Sequence, residues 1–98
     1  MRRVTVDQEL EALRRQIDAV DERILGLVAE RVELVLRVGE LKRASGAAVY
    51  DPERERRVLD RLAHQAAPPL DRETVQRVFE RLIDESRRLE LAHVRRTG

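Results

Sequence analysis

The chain of 98 residues contains no cysteine. Disulfides, thiolate-ligated zinc and cysteine nucleophiles are therefore excluded together. Aromatic residues amount to 2 %, and there are only 4 glycines and 3 prolines. With Leu, Val, Ala, Glu and Arg abundant in their place, the composition is that of a helical protein. An excess of one charge sign is also missing. Lys plus Arg number 20 against 19 Asp plus Glu, for a net charge of +1, which argues against a binder of nucleic acid or other polyanions. No apolar run approaches the ~20 residues of a membrane span. None follows the arginines of Met1-Arg2-Arg3-Val4-Thr5-Val6-Asp7 either, so no signal peptide is visible. The expectation is a soluble, cytoplasmic, all-α protein forming one domain over residues 1–98, with no boundary or repeat inside it.

Two segments punctuate the chain, Ala44-Ser45-Gly46-Ala47-Ala48-Val49-Tyr50-Asp51-Pro52 and Ala66-Ala67-Pro68-Pro69-Leu70-Asp71. Gly46 suits a helix C-cap, and Asp51-Pro52 reads as an N-cap followed by proline at the first helical position. Asp71 is a further N-cap candidate, with Glu73 in the first turn. Thr5 and Gln8 have capping-box spacing, although Asp7 is an alternative cap. These signals predict three helices, over about 6–44, 52–66 and 72–93.

Within the first helix, Leu10, Leu13, Ile17, Val20, Ile24, Leu27, Arg31, Leu34, Val38 and Leu41 alternate spacings of three and four, the mark of a heptad seam. A helix of about 39 residues is about 58 Å long, whereas a compact domain of this size has a radius of gyration of only ~13 Å. Two shorter helices cannot cover that seam along its length. A second copy of the long helix can, so an obligate homodimer sharing one core is expected.

Arg31 interrupts the seam. A guanidinium stays charged, so burying it requires an anionic partner. It is either a structural ion pair or register-fixing residue, or the point where the seam opens into an anion pocket. Lys42, the one lysine among 20 basic residues, lies three turns further along nearly the same face, with Val35 and Val38 between. Arg14 is about 25 Å from Arg31 along a straight helix. One small ligand reaches both only if an antiparallel partner helix supplies its own Arg14; otherwise Arg14 is a solvated flank. In the third helix Val75, Phe79, Leu82, Ser86 and Leu89 trace a seam that Val78 and Ile83 widen. Ser86 and Glu90 follow Ile83 down its inner side, and Glu90 either serves a site or pairs with Arg87 or a tail arginine. Asp51, Arg54 and Glu55 open the second helix, where capping and dipole compensation are the ordinary roles. His64 and His93 lack a second ligand at metal spacing, and neither Ser45 nor Ser86 has a His/Asp constellation. No glycine-rich phosphate loop is present. Cations, one hydroxyl and two acids without a nucleophile suit binding and orientation.

The ordered set Leu13-Arg14-Arg15-Gln16-Ile17-Asp18-Ala19-Val20-Asp21, Ala29-Glu30-Arg31, Val38-Gly39-Glu40-Leu41-Lys42 and Asp51-Pro52-Glu53-Arg54-Glu55-Arg56 closely resembles the all-helical chorismate mutases, the AroQ class. The likeness extends from about residue 10 to residue 91. It implies an intertwined dimer of three-helix chains with two sites built from both chains. It also implies an isomerase that converts the dianion chorismate to prephenate by a Claisen rearrangement, on the way to phenylalanine and tyrosine, without metal or organic cofactor. On that resemblance Arg31 holds a substrate carboxylate and Arg14 reaches in from the other chain. Lys42 donates to the ether oxygen, Glu55 binds the ring hydroxyl beside the Asp51 backbone, and Arg54 and Ser86 complete the carboxylate end. Glu90 stands where many members carry glutamine, the second donor to the ether oxygen. Isochorismate-pyruvate lyases share the scaffold and the cations, but the Asp51–Glu55 segment looks more like the mutases. A non-catalytic dimerisation or regulatory module is the remaining alternative, and its seam has no need of Arg31, Lys42 and Ser86.

Overall fold

The computed structural model describes residues 5–97. They form three helices, α1 (Val6–Ser45), α2 (Pro52–His64) and α3 (Arg72–Thr97), without a strand among the described residues. None of these helices is long and apolar enough to cross a membrane.

Local chemistry accounts for the helix ends. At the start of α1 the Thr5 hydroxyl oxygen accepts from the Gln8 amide at 3.1 Å, and the Gln8 side-chain oxygen accepts from the Thr5 amide at 2.9 Å. Two donors that the helix leaves unpaired are satisfied reciprocally, and Asp7 takes a first-turn place instead of the cap. At the other end Gly46 has φ +76°, a left-handed conformation that costs glycine little. The Ala47 amide donates to the Lys42 carbonyl at 2.9 Å and the Gly46 amide to that of Arg43 at 3.3 Å, the paired bonds of a Schellman ending. Asp51 caps α2 by accepting from the Arg54 amide at 3.1 Å, with Pro52 in the first turn. Asp71 caps α3 by accepting from the Thr74 amide at 2.7 Å.

Two ends differ from the sequence expectation. Helix α2 stops at His64, because the Gln65 amide donates to Leu62 and the Ala66 amide to Ala63, tightening the last turn ahead of Pro68. Helix α3 continues to Thr97; no proline or glycine intervenes before Gly98, and half-buried Val94 lies near Gly39 of α1.

The chain divides into two compact units, one ending at Arg31 and the other beginning at Val32. The first is the N-terminal stretch of α1, along which Leu10, Leu13, Ile17, Val20, Ile24 and Leu27 are between 42 % and 64 % exposed. The second contains the rest of α1 with α2 and α3. There α2 packs on α3 and buries Val58, Ala63, Val75 and Ile83. Leu34, Val38 and Leu41 of α1 remain exposed in the single chain, as does Val78 of α3. The inward stripe of α3 runs through Val75, Ile83, Ser86 and Glu90.

Candidate active site

The second unit contains Lys42, Asp51, Arg54, Glu55, Ser86 and Glu90; Arg14 and Arg31 belong to the first. Glu90 is the most telling of them. Its side chain points inward from α3 and is only 5 % exposed, yet its Oε2 has no hydrogen-bond partner. Room for it comes from Gly39 on α1. A Cβ at that position would stand 2.8 Å from Glu90 Cγ, 3.1 Å from Oε2 and 3.3 Å from a Val94 methyl. Burial pushes the Glu90 carboxyl above its ordinary pKa, the Lys42 ammonium pulls it back, and the Glu55 carboxylate adds to the upward shift. Lys42 of α1 and Glu55 of α2 thus both come close enough to act on the charge of Glu90.

Lys42 is fixed from two directions. Its carbonyl is bound into the end of α1, and its Nζ donates to the Val49 carbonyl at 2.8 Å. Ser86 is 2 % exposed and donates to the Leu82 carbonyl at 2.7 Å, a back-bond common for serine inside helices. Half-buried Asp51 uses its carboxylate as the α2 cap, while Arg54 one turn on is exposed.

One member of the cluster has no place in the expected set. Arg87 Nη1 donates to both oxygens of Glu55, at 2.6 and 2.8 Å, and Nη2 to Asp84 at 3.1 Å. The carboxylate holds the guanidinium proton more tightly than usual, burial opposing. Arg87 is thus the partner of Glu55 and not of Glu90. A signal for it existed: position 87 is four residues beyond buried Ile83, so a cation there departs from the apolar stripe much as Arg31 departs from its own seam.

In the first unit Arg14 is exposed and Arg31 is half-buried, more covered than Ile24 and Leu27 on the same seam. His64 bonds the Asp60 carbonyl through Nδ1 at 2.8 Å, and His93 Nε2 meets Glu40 at 2.8 Å. Among the described residues no group of three or more His, Asp or Glu side chains has the arrangement of a metal site.

Comparison with known proteins places this arrangement. The sequence pattern of the family described as chorismate mutase type II matches residues 13–91. The bifunctional chorismate mutase/prephenate dehydratase of Escherichia coli K12 is 42 % identical over 84 residues, which are 85 % of this chain and only 22 % of that protein. The solved chorismate mutase of Thermus thermophilus (form II) superposes with a TM-score of 0.81 at 35 % identity, over 84 % of this chain and 93 % of that one. The chorismate mutase of Helicobacter pylori, solved in complex with prephenate, gives a TM-score of 0.80 at 28 % identity, over 88 % and 93 %. From its helix ends to its matched residues, the chain belongs to the chorismate mutase type II family.

Proposed function

We propose that the protein rearranges chorismate to prephenate. The observation that carries the reading is Glu90, a nearly buried carboxyl with an unpartnered oxygen and a raised proton affinity, in the field of Lys42. A protonated carboxyl is a donor in need of an acceptor, and the ether oxygen of a bound ligand supplies one. Membership of the family, and the prephenate complex of the Helicobacter pylori relative, support the same substrate class.

The reaction breaks the ether C–O bond and forms a C–C bond within one molecule, so it needs no nucleophile and no external proton. What the protein supplies is conformation and charge. Holding the enolpyruvyl arm over the ring removes most of the entropic barrier. Arg31, with Arg14 from a second copy, binds the carboxylates; Arg54 and Ser86 complete that end. Glu55, beside the Asp51 backbone, accepts from the ring hydroxyl. Lys42 and neutral Glu90 donate to the ether oxygen, where negative charge grows chiefly in the transition state, so their binding energy goes into rate.

The dimer enters as part of this reading: the exposed apolar residues of α1, and the ~25 Å of helix between Arg14 and Arg31, support a second copy. The test is to incubate the purified protein separately with chorismate and with isochorismate and identify the products. Prephenate from chorismate is the expected result. Pyruvate and salicylate from isochorismate alone would make it a lyase, and no turnover of either would leave a binding module.

A further inference from the structure

None of the roles above uses Arg87, yet it is one of the most connected side chains in the second unit. It is 28 % exposed and Glu55 24 %. Besides its bonds to Glu55 and Asp84, its guanidinium carbon lies 4.7 Å from the centroid of the Tyr50 ring, within cation–π range. One planar cation thus joins α2, α3 and the segment between α1 and α2. The residue before Tyr50 is Val49, whose carbonyl receives the Lys42 ammonium.

The pair differs in kind from the surface bridges of the helices. Glu55 and Arg87 are 32 residues apart in sequence, so no helical repeat brings them together. Partial burial and charge assistance make such a pair stronger than an exposed one. A carboxylate has about four acceptor positions, and Nη1 occupies one on each oxygen. The others remain for a hydroxyl. The guanidinium also neutralises an acid that would otherwise repel a dianion.

We propose that Arg87 is a positioning residue of this site. By chelating Glu55 and stacking on Tyr50, it holds the α2 carboxylate as a fixed hydroxyl acceptor and the connecting segment as a fixed rest for Lys42. The proposal rests on the chorismate reading. Lysine would keep the charge at position 87 but lose the fork and the stacking plane.

Tyr50 is the one tyrosine of a chain without tryptophan, so the ultraviolet emission of the protein reports on this contact directly. The experiment compares the parent with Arg87→Leu, Arg87→Lys and Tyr50→Leu by helical circular dichroism, acrylamide quenching of Tyr50 where it is present, and steady-state kinetics on chorismate. Arg87→Leu should keep its helicity, raise the quenching of Tyr50, whose side of the ring away from Arg87 is already open at 54 % exposure, and raise KM about tenfold, since a contact to the hydroxyl serves ground and transition states alike. Tyr50→Leu should instead lower kcat about threefold with KM near that of the parent, because it loosens the Lys42 rest and spares the chelate. Arg87→Lys should recover part of the KM loss and none of the Tyr50 shielding. In a double-mutant cycle, Glu55→Gln should cost at least about threefold less in the Arg87→Leu background than in the parent.

Parental KM and quenching in a helical Arg87→Leu protein, or an additive cycle with Glu55, would overturn the role given to Arg87 while leaving the chorismate reading intact. An inactive parent would overturn the reading and the proposal with it. If Arg87→Leu does not fold, the kinetics and quenching of Arg87→Lys and the kinetics of Tyr50→Leu decide the matter by the same outcomes.

Discussion

Glu90 is a carboxyl whose position opposes its charge. Because burial raises its folded-state pKa above the unfolded value, the neutral form is the one the fold prefers. Its contribution to stability is complete below the ordinary carboxylate range and is lost as pH rises through the raised value. Glu90→Gln should therefore raise the melting temperature at neutral pH and give no gain below about pH 4. The same ionisation removes the donor that the proposed reaction uses, so kcat/KM should decline on the alkaline side and Glu90→Gln should flatten that limb. Melting curves and kcat/KM against pH, measured on both proteins, check the two statements; superposable profiles of equal activity would remove Glu90 from the ether oxygen. Arg31 differs in that it cannot discharge itself. Arg31 is half-buried, and replacing a charge drawn out of water by an apolar residue is often neutral or stabilising, so Arg31→Leu should lose more than about 100-fold in kcat/KM, about 2.7 kcal/mol, while sedimenting as the parent does. Dissociation into unfolded chains would show that its role is structural.

At the scale of the helices, what could be read in the sequence was whatever the chain writes locally. Thr5 with Gln8, Gly46, Asp51 with Pro52, and Asp71 each act within about one turn, and each marks a helix end in the structure. The inner face of α3 was legible only in part. Val75, Ile83, Ser86 and Glu90 are buried on it as expected, while Val78 is exposed in the single chain, and helical periodicity alone does not say which flanking positions a neighbouring helix covers. The Glu55–Arg87 pair and the fit of Glu90 against Gly39 were not legible, because both depend on how separate helices approach. Asp71 offers a test confined to one element. Its bonds to Thr74 lower its pKa, so its support for the fold is present above the ordinary carboxylate range and lost as pH falls through the lowered value. Asp71→Ala should melt lower than the parent at neutral pH, converge with it in acid, and leave kcat/KM unchanged.

For the whole molecule, the dominant feature is the apolar face of α1. Leu10, Leu13, Ile17, Val20, Ile24 and Leu27 in the first unit, and Leu34, Val38 and Leu41 in the second, are all at least 42 % exposed in the single chain, and exposed apolar residues clustered in this way mark an interface. With a second copy seated there, every site would need residues from two chains. Arg14→Ala and Lys42→Ala proteins, each inactive, should then recover activity when refolded together. In a mixed dimer one site carries both defects and the other carries neither, so about a quarter of parental activity is expected from statistical mixing of chains that pair as two-fold dimers. Failure of confirmed mixed dimers to turn over chorismate would rule out sites shared in this way.

The hollow at Gly39 imposes an order on substitution. Alanine is the better helix former by about 1 kcal/mol, and at an open helical position the exchange would be an improvement. Here the added methyl meets Glu90 at 2.8 Å, and overpacking of this kind costs about 1–3 kcal/mol. Gly39→Ala alone should lower the melting temperature, whereas in a Glu90→Ser background, where the Val94 methyl at 3.3 Å is the contact that remains, the same change should cost less, and melting curves of the four proteins give the size of each step. A side chain at position 39 is therefore tied to the length of the one at position 90, and the long acid on α3 and the glycine on α1 fit as a pair.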